Sequence, residues 1–219
     1  MSPGAVAKAP ANTGLWKEKV AVGLLLGPSL FAMYAATAVR ASQTATRPPA
    51  WLVTPLDRVV PTVPEAVWIY LSWYPAMALL VLTSGSVLRT GYVAYVLAFG
   101  GCALGHVLLP ASIDRPLLRA DSGLSEQALQ MVYALDPPYN LFPSVHAACA
   151  AVLASLARTA TRLRGAAALW TAALCLSCVL VRQHFLIDVL AGVAVGIAAT
   201  WLAGTVVESR FASRVADSA

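Results

Sequence analysis

Six apolar runs divide this 219-residue chain, each close to the roughly 20 residues an α-helix needs to cross a hydrocarbon core. No other feature restricts the fold as much. The charge content agrees, with 11% of residues charged against roughly 25% in a soluble domain. The expected architecture is all-α and integral to the membrane, a bundle of six transmembrane helices without a separate soluble domain.

Five runs cover about 20–39, 67–87, 92–109, 165–181 and 185–207, and the fourth in order begins at Ser144 and fades into Arg158, Arg162 and Arg164. Pro75 is expected to kink the second. Gly100, Gly101 and Gly105 let the third pack closely, and Gly192-x-x-x-Gly196 gives the sixth a small-residue packing face. The longest polar stretch, 111–140, separates the third and fourth runs. Within it Leu124, Ala128, Met131 and Leu135 recur at helical spacing, which predicts a short interfacial helix on the membrane surface. Residues 1–16, rich in Ala, Pro and Gly, read as a disordered tail, 17–209 as the six-span domain and 210–219 as a cytoplasmic tail. Lys17 and Lys19 resemble the start of a signal peptide, but the run behind them is about 20 residues long without a clear cleavage site, so it reads as a retained anchor.

The net charge of +5 is spread over loops with no basic run, which argues against nucleic acid and for anionic lipid headgroups as partners. Lys8, Lys17, Lys19, Arg89, Arg158, Arg162, Arg164, Arg210 and Arg214 fall on one side of a six-span topology. Arg40, Arg47, Arg58, Arg115, Arg119 and Arg182 fall on the other. The larger set marks the cytoplasmic side, so both termini are expected in the cytoplasm of a multi-pass plasma-membrane protein. Cys102, Cys149, Cys175 and Cys178 all lie inside apolar runs and read as small buried hydrophobes, with neither a disulfide framework nor a zinc-ligand spacing.

Two motifs carry chemistry. The first is Leu-Phe-Pro-Ser-Val-His-Ala-Ala at 141–148. Ser144 is a good N-cap, Pro143 stops any helix arriving from upstream, and His146 falls in the first turn, beside free N–H groups that suit an anion. The second is Arg182-Gln183-His184 followed by Asp188. His184 and Asp188, four apart, share a helix face at the mouth of an apolar run, where charge is costly and marks function by default. Between His146 and His184 lie 38 residue steps, about 57 Å of helix and nearly two crossings of a roughly 30 Å core. The two histidines therefore return to one face, as does Arg115 after the third run.

Such a set supports phosphoryl transfer through a covalent histidine. His184, oriented by Asp188, would attack phosphorus. His146 would protonate the leaving oxygen and then activate water or an alcohol. Arg115, Arg182 and N–H groups near Ser144 would hold the phosphoryl oxygens, with no metal or other cofactor required. A transporter or assembly subunit would explain six spans but not why these groups meet at one face.

At Pro143-Ser144-x-His146 and His184-x-x-x-Asp188 the chain resembles the type 2 phosphatidic acid phosphatase superfamily, over roughly 92–207. The resemblance implies a helical bundle with its site near the outer surface, His184 as nucleophile, Asp188 as its partner and His146 as the acid. Three positions depart from the family pattern. Val145 stands where Gly is usual, Ser177-Cys178 where Ser-Arg is usual, and Leu108 where a lysine precedes Arg115-Pro116. Together with Asp57-Arg58 ahead of the second run, these departures resemble the branch of inositol phosphorylceramide synthases. Arg40 and Arg47-Pro48 offer a competing match to the Arg-Pro motif, with better spacing but after the first run. The implied activity is hydrolysis of a lipid phosphomonoester or diphosphate, phosphatidate-type or polyprenyl, at the extracytoplasmic face. The alternative is transfer of a phosphoryl headgroup to an alcohol or lipid acceptor. His106 reads as a hydrogen-bonded helix residue, and Trp51, Trp68, Trp73 and Tyr74 as an interfacial aromatic belt. The lipid tail, the headgroup and the oligomeric state are not encoded in any of these patterns.

Overall fold

A computed structural model describes residues 13–82, 86–118, 123–158 and 164–216. Lys8, Arg119 and Arg162 lie outside them, as do most of the N-terminal tail and the last three residues. Among the described residues the chain is helical: α1 (Thr13–Thr44), α2 (Pro55–Val59), α3 (Val67–Leu71), α4 (Trp73–Leu82), α5 (Ser86–Leu108), α6 (Leu124–Leu135), α7 (Val145–Ala157), α8 (Arg164–Leu180) and α9 (Leu186–Ala216). Three segments are long and apolar enough to cross a membrane: Lys19–Thr44, Val87–Leu108 and Leu186–Val207. The apolar α7 and α8 are shorter, at 13 and 17 residues. The second apolar run is divided at Ser72 into α3 and α4. Pro75 accounts for the place of that break. It has no N–H for the Leu71 carbonyl and its ring crowds that carbonyl, so the helix restarts in the turn containing the proline.

α6 presents apolar residues on two sides. Leu129 and Val132 are buried against the rest of the protein, whereas Leu124, Met131 and Leu135 are exposed. The stripe anticipated from sequence is thus the outward one. Trp68 donates from Nε1 to Ser125 Oγ at 3.0 Å, fastening α3 to α6.

α7 is the hub. Every residue from Val145 to Val152 is buried, and α9, α8 and α5 all pack on it. Its closest neighbour is α9. A Cβ placed on Gly192 would overlap the carbonyl oxygen of Ser144, and one on Gly196 the carbonyl oxygen of Ala148, with the Cβ atoms of Ala147 and Ala151 at 3.1 and 2.9 Å. The small-xxx-small face of α9 therefore lies directly on the α7 backbone, which is how helices gain packing energy in lipid. On α5, a Cβ at Gly105 would overlap the ring of Pro143. The loop that starts α7 is thereby clamped from two sides.

The α8–α9 turn is equally fixed. Arg182, at φ 53°, occupies the left-handed position that usually takes Gly. The N–H groups of Arg182 and Gln183 close onto the carbonyls of Val179 and Cys178 at 3.1 and 3.0 Å, a Schellman ending. A non-glycine residue there costs about 1–2 kcal/mol. Arg182 offsets this by donating its guanidinium to the carbonyls of Asp57, at 2.7 Å, and Val60. Asp57, 2% exposed, accepts through Oδ1 from the N–H of Leu186 at 2.9 Å and through Oδ2 from Thr54 N–H and Oγ at 2.8 and 2.6 Å. The free first N–H of α9 is thus capped by a carboxylate from the distant α2.

Two predictions follow from these contacts. Gly192→Val and Gly196→Val should each lower the thermal midpoint in detergent by an amount equivalent to about 1–3 kcal/mol of overpacking. Gly204→Ala, with nothing within 4 Å, should leave it unchanged or slightly higher. Asp57→Ala strands the buried N–H of Leu186 and should cost about 1–3 kcal/mol. Arg58→Ala, its exposed neighbour, should stay within about 0.5 kcal/mol of the parent.

Candidate active site

His146 and His184 arrive at one cavity from two helix starts. Ser144 caps α7, its Oγ accepting from Ala147 N–H at 3.3 Å, and His146 follows in the first turn. The Ser144 N–H donates to the carbonyl of Asp188 at 3.0 Å, which binds this helix start to that of α9. With the N–H groups of Ser144 and Ala147 engaged, the anion cradle at this terminus narrows to those of Val145 and His146. The Val145 side chain lines the cavity.

The His184 ring is 5% exposed and its Nδ1 lies 2.9 Å from the carbonyl oxygen of Leu141. A carbonyl can only accept, so Nδ1 carries hydrogen and Nε2 keeps its lone pair. Asp188 Oδ2 is 3.8 Å from the same nitrogen, close enough for attraction but too far for a direct bond. Its nearer partner is the Phe185 N–H at 2.7 Å, and its Oδ1 is buried without a partner. The aspartate expected beside His184 is there, but the main-chain oxygen of Leu141 fixes the tautomer.

The ring of His146 is 5.9 Å from that of His184, centroid to centroid. It is flanked by Tyr70 at 4.5 Å and by Trp73, edge to face, at 4.9 Å. Trp73 therefore faces inward onto the histidine and does not join the expected aromatic belt, whereas Trp51, Trp68 and Tyr74 are exposed. His106 bonds the Pro143 carbonyl at 3.0 Å through Nε2, the structural role read from sequence.

Arg115 lines the same cavity. The loop that carries it is pinned by bridges of Ala111 to Thr46 and Asn140. The guanidinium lies 4.7 Å over the ring of Tyr133 and donates to the carbonyls of Asp136, at 2.7 Å, and Tyr133, at 3.3 Å, and to Gln183 Oε1. Burial lowers its pKa from the usual arginine value, opposed by the charge of Asp136. Burial likewise pushes the Tyr133 phenol up to about 12, against the pull of Arg115 and Arg182. Both keep their ordinary charge at neutral pH.

Two donors in this ring of residues are buried and have no partner, Nε of Arg115 and Nε2 of Gln183. Together with two imidazoles they suit a tetrahedral oxyanion. Sequence reasoning passed over Gln183, which gave no signal beyond its place between Arg182 and His184. The guanidinium of Arg182 instead faces Asp57 and Val60, outside the cavity lining, and Ser144 also stands behind it. Arg40 and Arg47 are exposed and do not line it either, so of the competing Arg-Pro motifs Arg115 is the one that reaches the histidines. Among the described residues no group of three or more His, Cys, Asp or Glu is placed to hold a metal ion.

No curated protein matches the sequence significantly. Among solved structures, the crystal structure of Aquifex aeolicus LpxE is similar, with a TM-score of 0.49 and 15% identity over 69% of this chain and 87% of that one. The profile of the PAP2 superfamily matches residues 27–212, a span running from within α1 to near the end of α9 and enclosing both histidine motifs. The chain belongs to the PAP2 superfamily.

Proposed function

We propose that this protein is an integral-membrane lipid phosphatase that cleaves a phosphomonoester or diphosphate from a phosphatidate-type or polyprenyl lipid through a phosphohistidine. The observation that carries the reading is the cavity itself, with two imidazoles 5.9 Å apart and the unpartnered donors Arg115 Nε and Gln183 Nε2 beside them. Attack requires a phosphorus about 3 Å from Nε2 of His184.

The lone pair on His184 Nε2 forms the bond to phosphorus while the bond to the leaving oxygen breaks. His146 gives its proton to that oxygen, leaving a diacylglycerol or prenol hydroxyl from a monoester and a prenyl monophosphate from a diphosphate. In the second half His146 takes a proton from water, whose oxygen displaces His184 and releases phosphate. Arg115, Gln183 and the first-turn N–H groups of α7 hold the oxygens, and Asp188 balances the positive charge that grows on His184. Ser144 sets the α7 terminus, and Arg182 holds the turn on which His184 stands.

Placed in a bilayer, α1, α3 with α4, α5, α7, α8 and α9 form six crossings, and the outward stripe of α6 lies in the interface. The starts of α7 and α9 and the end of α5 then share one face. The balance of Lys and Arg puts that face outside the cytoplasm and both termini within it, in the plasma membrane.

A second reading keeps the site and replaces water with an alcohol, giving a headgroup phosphotransferase like the inositol phosphorylceramide synthases. One feature favours it: Asn140 Oδ1, on the cavity lining, is a buried acceptor without a partner, fit to hold an incoming hydroxyl. Supplying inositol or a ceramide with the lipid phosphate should then divert product away from free phosphate, whereas phosphate as the sole product retires this reading.

For the principal reading, purified His184→Ala should release no phosphate from a panel of phosphatidate, phosphatidylglycerophosphate and prenyl phosphates, and should no longer trap labelled phosphate on an alkaline denaturing quench, in which a phosphohistidine survives. Gln183→Ala should lower kcat by roughly 10²-fold, the usual effect of losing one donor to a developing charge. A His184→Ala protein that hydrolyses lipid phosphates at the parental rate would end the proposal.

A further inference from the structure

We infer that Tyr70 and Asp136 are positioning residues for His146, a carboxylate–tyrosine relay that holds the acid histidine by Nδ1 and leaves its Nε2 to the leaving group. The inference rests on the reading of His146 as the leaving-group acid. Tyr70, 1% exposed, donates its hydroxyl to Asp136 Oδ2 at 2.9 Å. The same hydroxyl oxygen stands 3.5 Å from His146 Nδ1. A phenol has a single hydrogen, so with that hydrogen on the carboxylate its oxygen meets Nδ1 as an acceptor. Nδ1 must then carry hydrogen, and Nε2 becomes the nitrogen that gives and takes the catalytic proton. The 3.5 Å separation is long, as such contacts often are before substrate draws them in.

The placement of Asp136 points the same way. It is the C-cap of α6, where the helix dipole disfavours a negative charge. Its local position therefore gives no reason for a carboxylate. What holds it is distant in the chain: Tyr34 of α1 donates to Oδ1, Tyr70 of α3 to Oδ2, and Arg115 to its main-chain carbonyl. Two distant segments meet at this one side chain and a third at its main chain, and its hydrogen-bonded path to His146 runs through Tyr70. Nor is packing the whole account of Tyr70, because a phenylalanine would fill the same space against His146 and Trp73.

The relay makes a prediction that a merely structural role does not. Help to the leaving oxygen matters when that oxygen is basic, as in a lipid alkyl phosphate, and little when it is a nitrophenolate. Purified full-length Tyr70→Phe and Asp136→Asn should each lose on the order of 10²-fold in kcat on dioctanoyl phosphatidate, within the usual range for general acid catalysis, with KM nearly unchanged. With p-nitrophenyl phosphate the readout is nitrophenolate release in the first turnover, before the water step that uses His146 as base; there both should stay close to the parent while first-turnover cleavage of phosphatidate falls, and the double variant should be no worse than either single one. His146→Ala sets the reference and should show the same selective loss, larger in size. If His146→Ala loses equally on both substrates, its role as the acid falls and the relay with it. If His146→Ala is selective while Tyr70→Phe and Asp136→Asn are equally impaired on both substrates, or unimpaired, the acid stands and the relay is overturned.

Discussion

The hydrogen bond from the Ser144 N–H to the Asp188 carbonyl ties the starts of α7 and α9 together, and the geometry of the site depends on that tie. It forms only because the two backbones can approach, and they approach because α9 offers Gly192 and Gly196 where α7 offers Ala147, Ala148 and Ala151. In lipid there is no hydrophobic gain from bringing two apolar helices together, so close packing of small residues must hold them. The same contact places His146, two residues after Ser144, and His184, four before Asp188, on a common rim. The spacing of the two histidines follows from helix packing.

Three buried or half-buried carboxylates near this rim are satisfied to very different degrees, and the differences sort their roles. Asp57 accepts from Thr54 twice and from Leu186 once, which leaves little unmet demand. It acts as a cap that keeps the α8–α9 turn in place. Asp136 takes both its side-chain bonds from phenols, which are neutral donors, so its negative charge stays largely uncompensated by direct pairing. Asp188 has one N–H on Oδ2 and none on Oδ1, with His184 at 3.8 Å. A half-satisfied carboxylate in an apolar bundle is expensive unless a cation can form beside it. On the proposed mechanism that cation forms on His184 during attack, so the unmet demand of Asp188 is met in the transition state and not before.

Much of this was legible in the sequence because periodicity and spacing are local properties. The apolar runs, the Ser144 cap, the return of His184 to the face of His146 and the small-residue pattern of α9 could all be counted along the chain. What escaped was whatever depends on contacts between segments far apart. Arg182 looked like a phosphate ligand because it is a cation two residues before His184. Its left-handed backbone turns the guanidinium toward Asp57 and Val60, and no count of residues reveals that. Gln183 and Tyr70 are ordinary residues by type, and their relevance arises from Arg115, 68 positions before Gln183, and from His146, 76 positions after Tyr70. The break between α3 and α4 was half visible, since Pro75 was marked but the interruption falls three residues earlier, where the missing N–H is felt.

The two imidazoles share one form of anchoring and differ in what anchors them. His184 gives its Nδ1 hydrogen to the Leu141 carbonyl at 2.9 Å, a fixed acceptor on the loop that starts α7. The Nδ1 of His146 stands 3.5 Å from a tyrosine oxygen, to which the inferred relay has it donate. With centroids 5.9 Å apart in a poorly solvated cavity, the rings repel if both are charged. On the proposed mechanism, transfer needs one neutral nucleophile and one protonated acid, and after phosphorylation it needs the opposite state of His146. A rigid acceptor suits the ring that must hold a lone pair on line with phosphorus. A polarisable hydroxyl backed by a carboxylate suits the ring that must change charge twice in each turnover, because the hydroxyl can follow the proton without any helix moving.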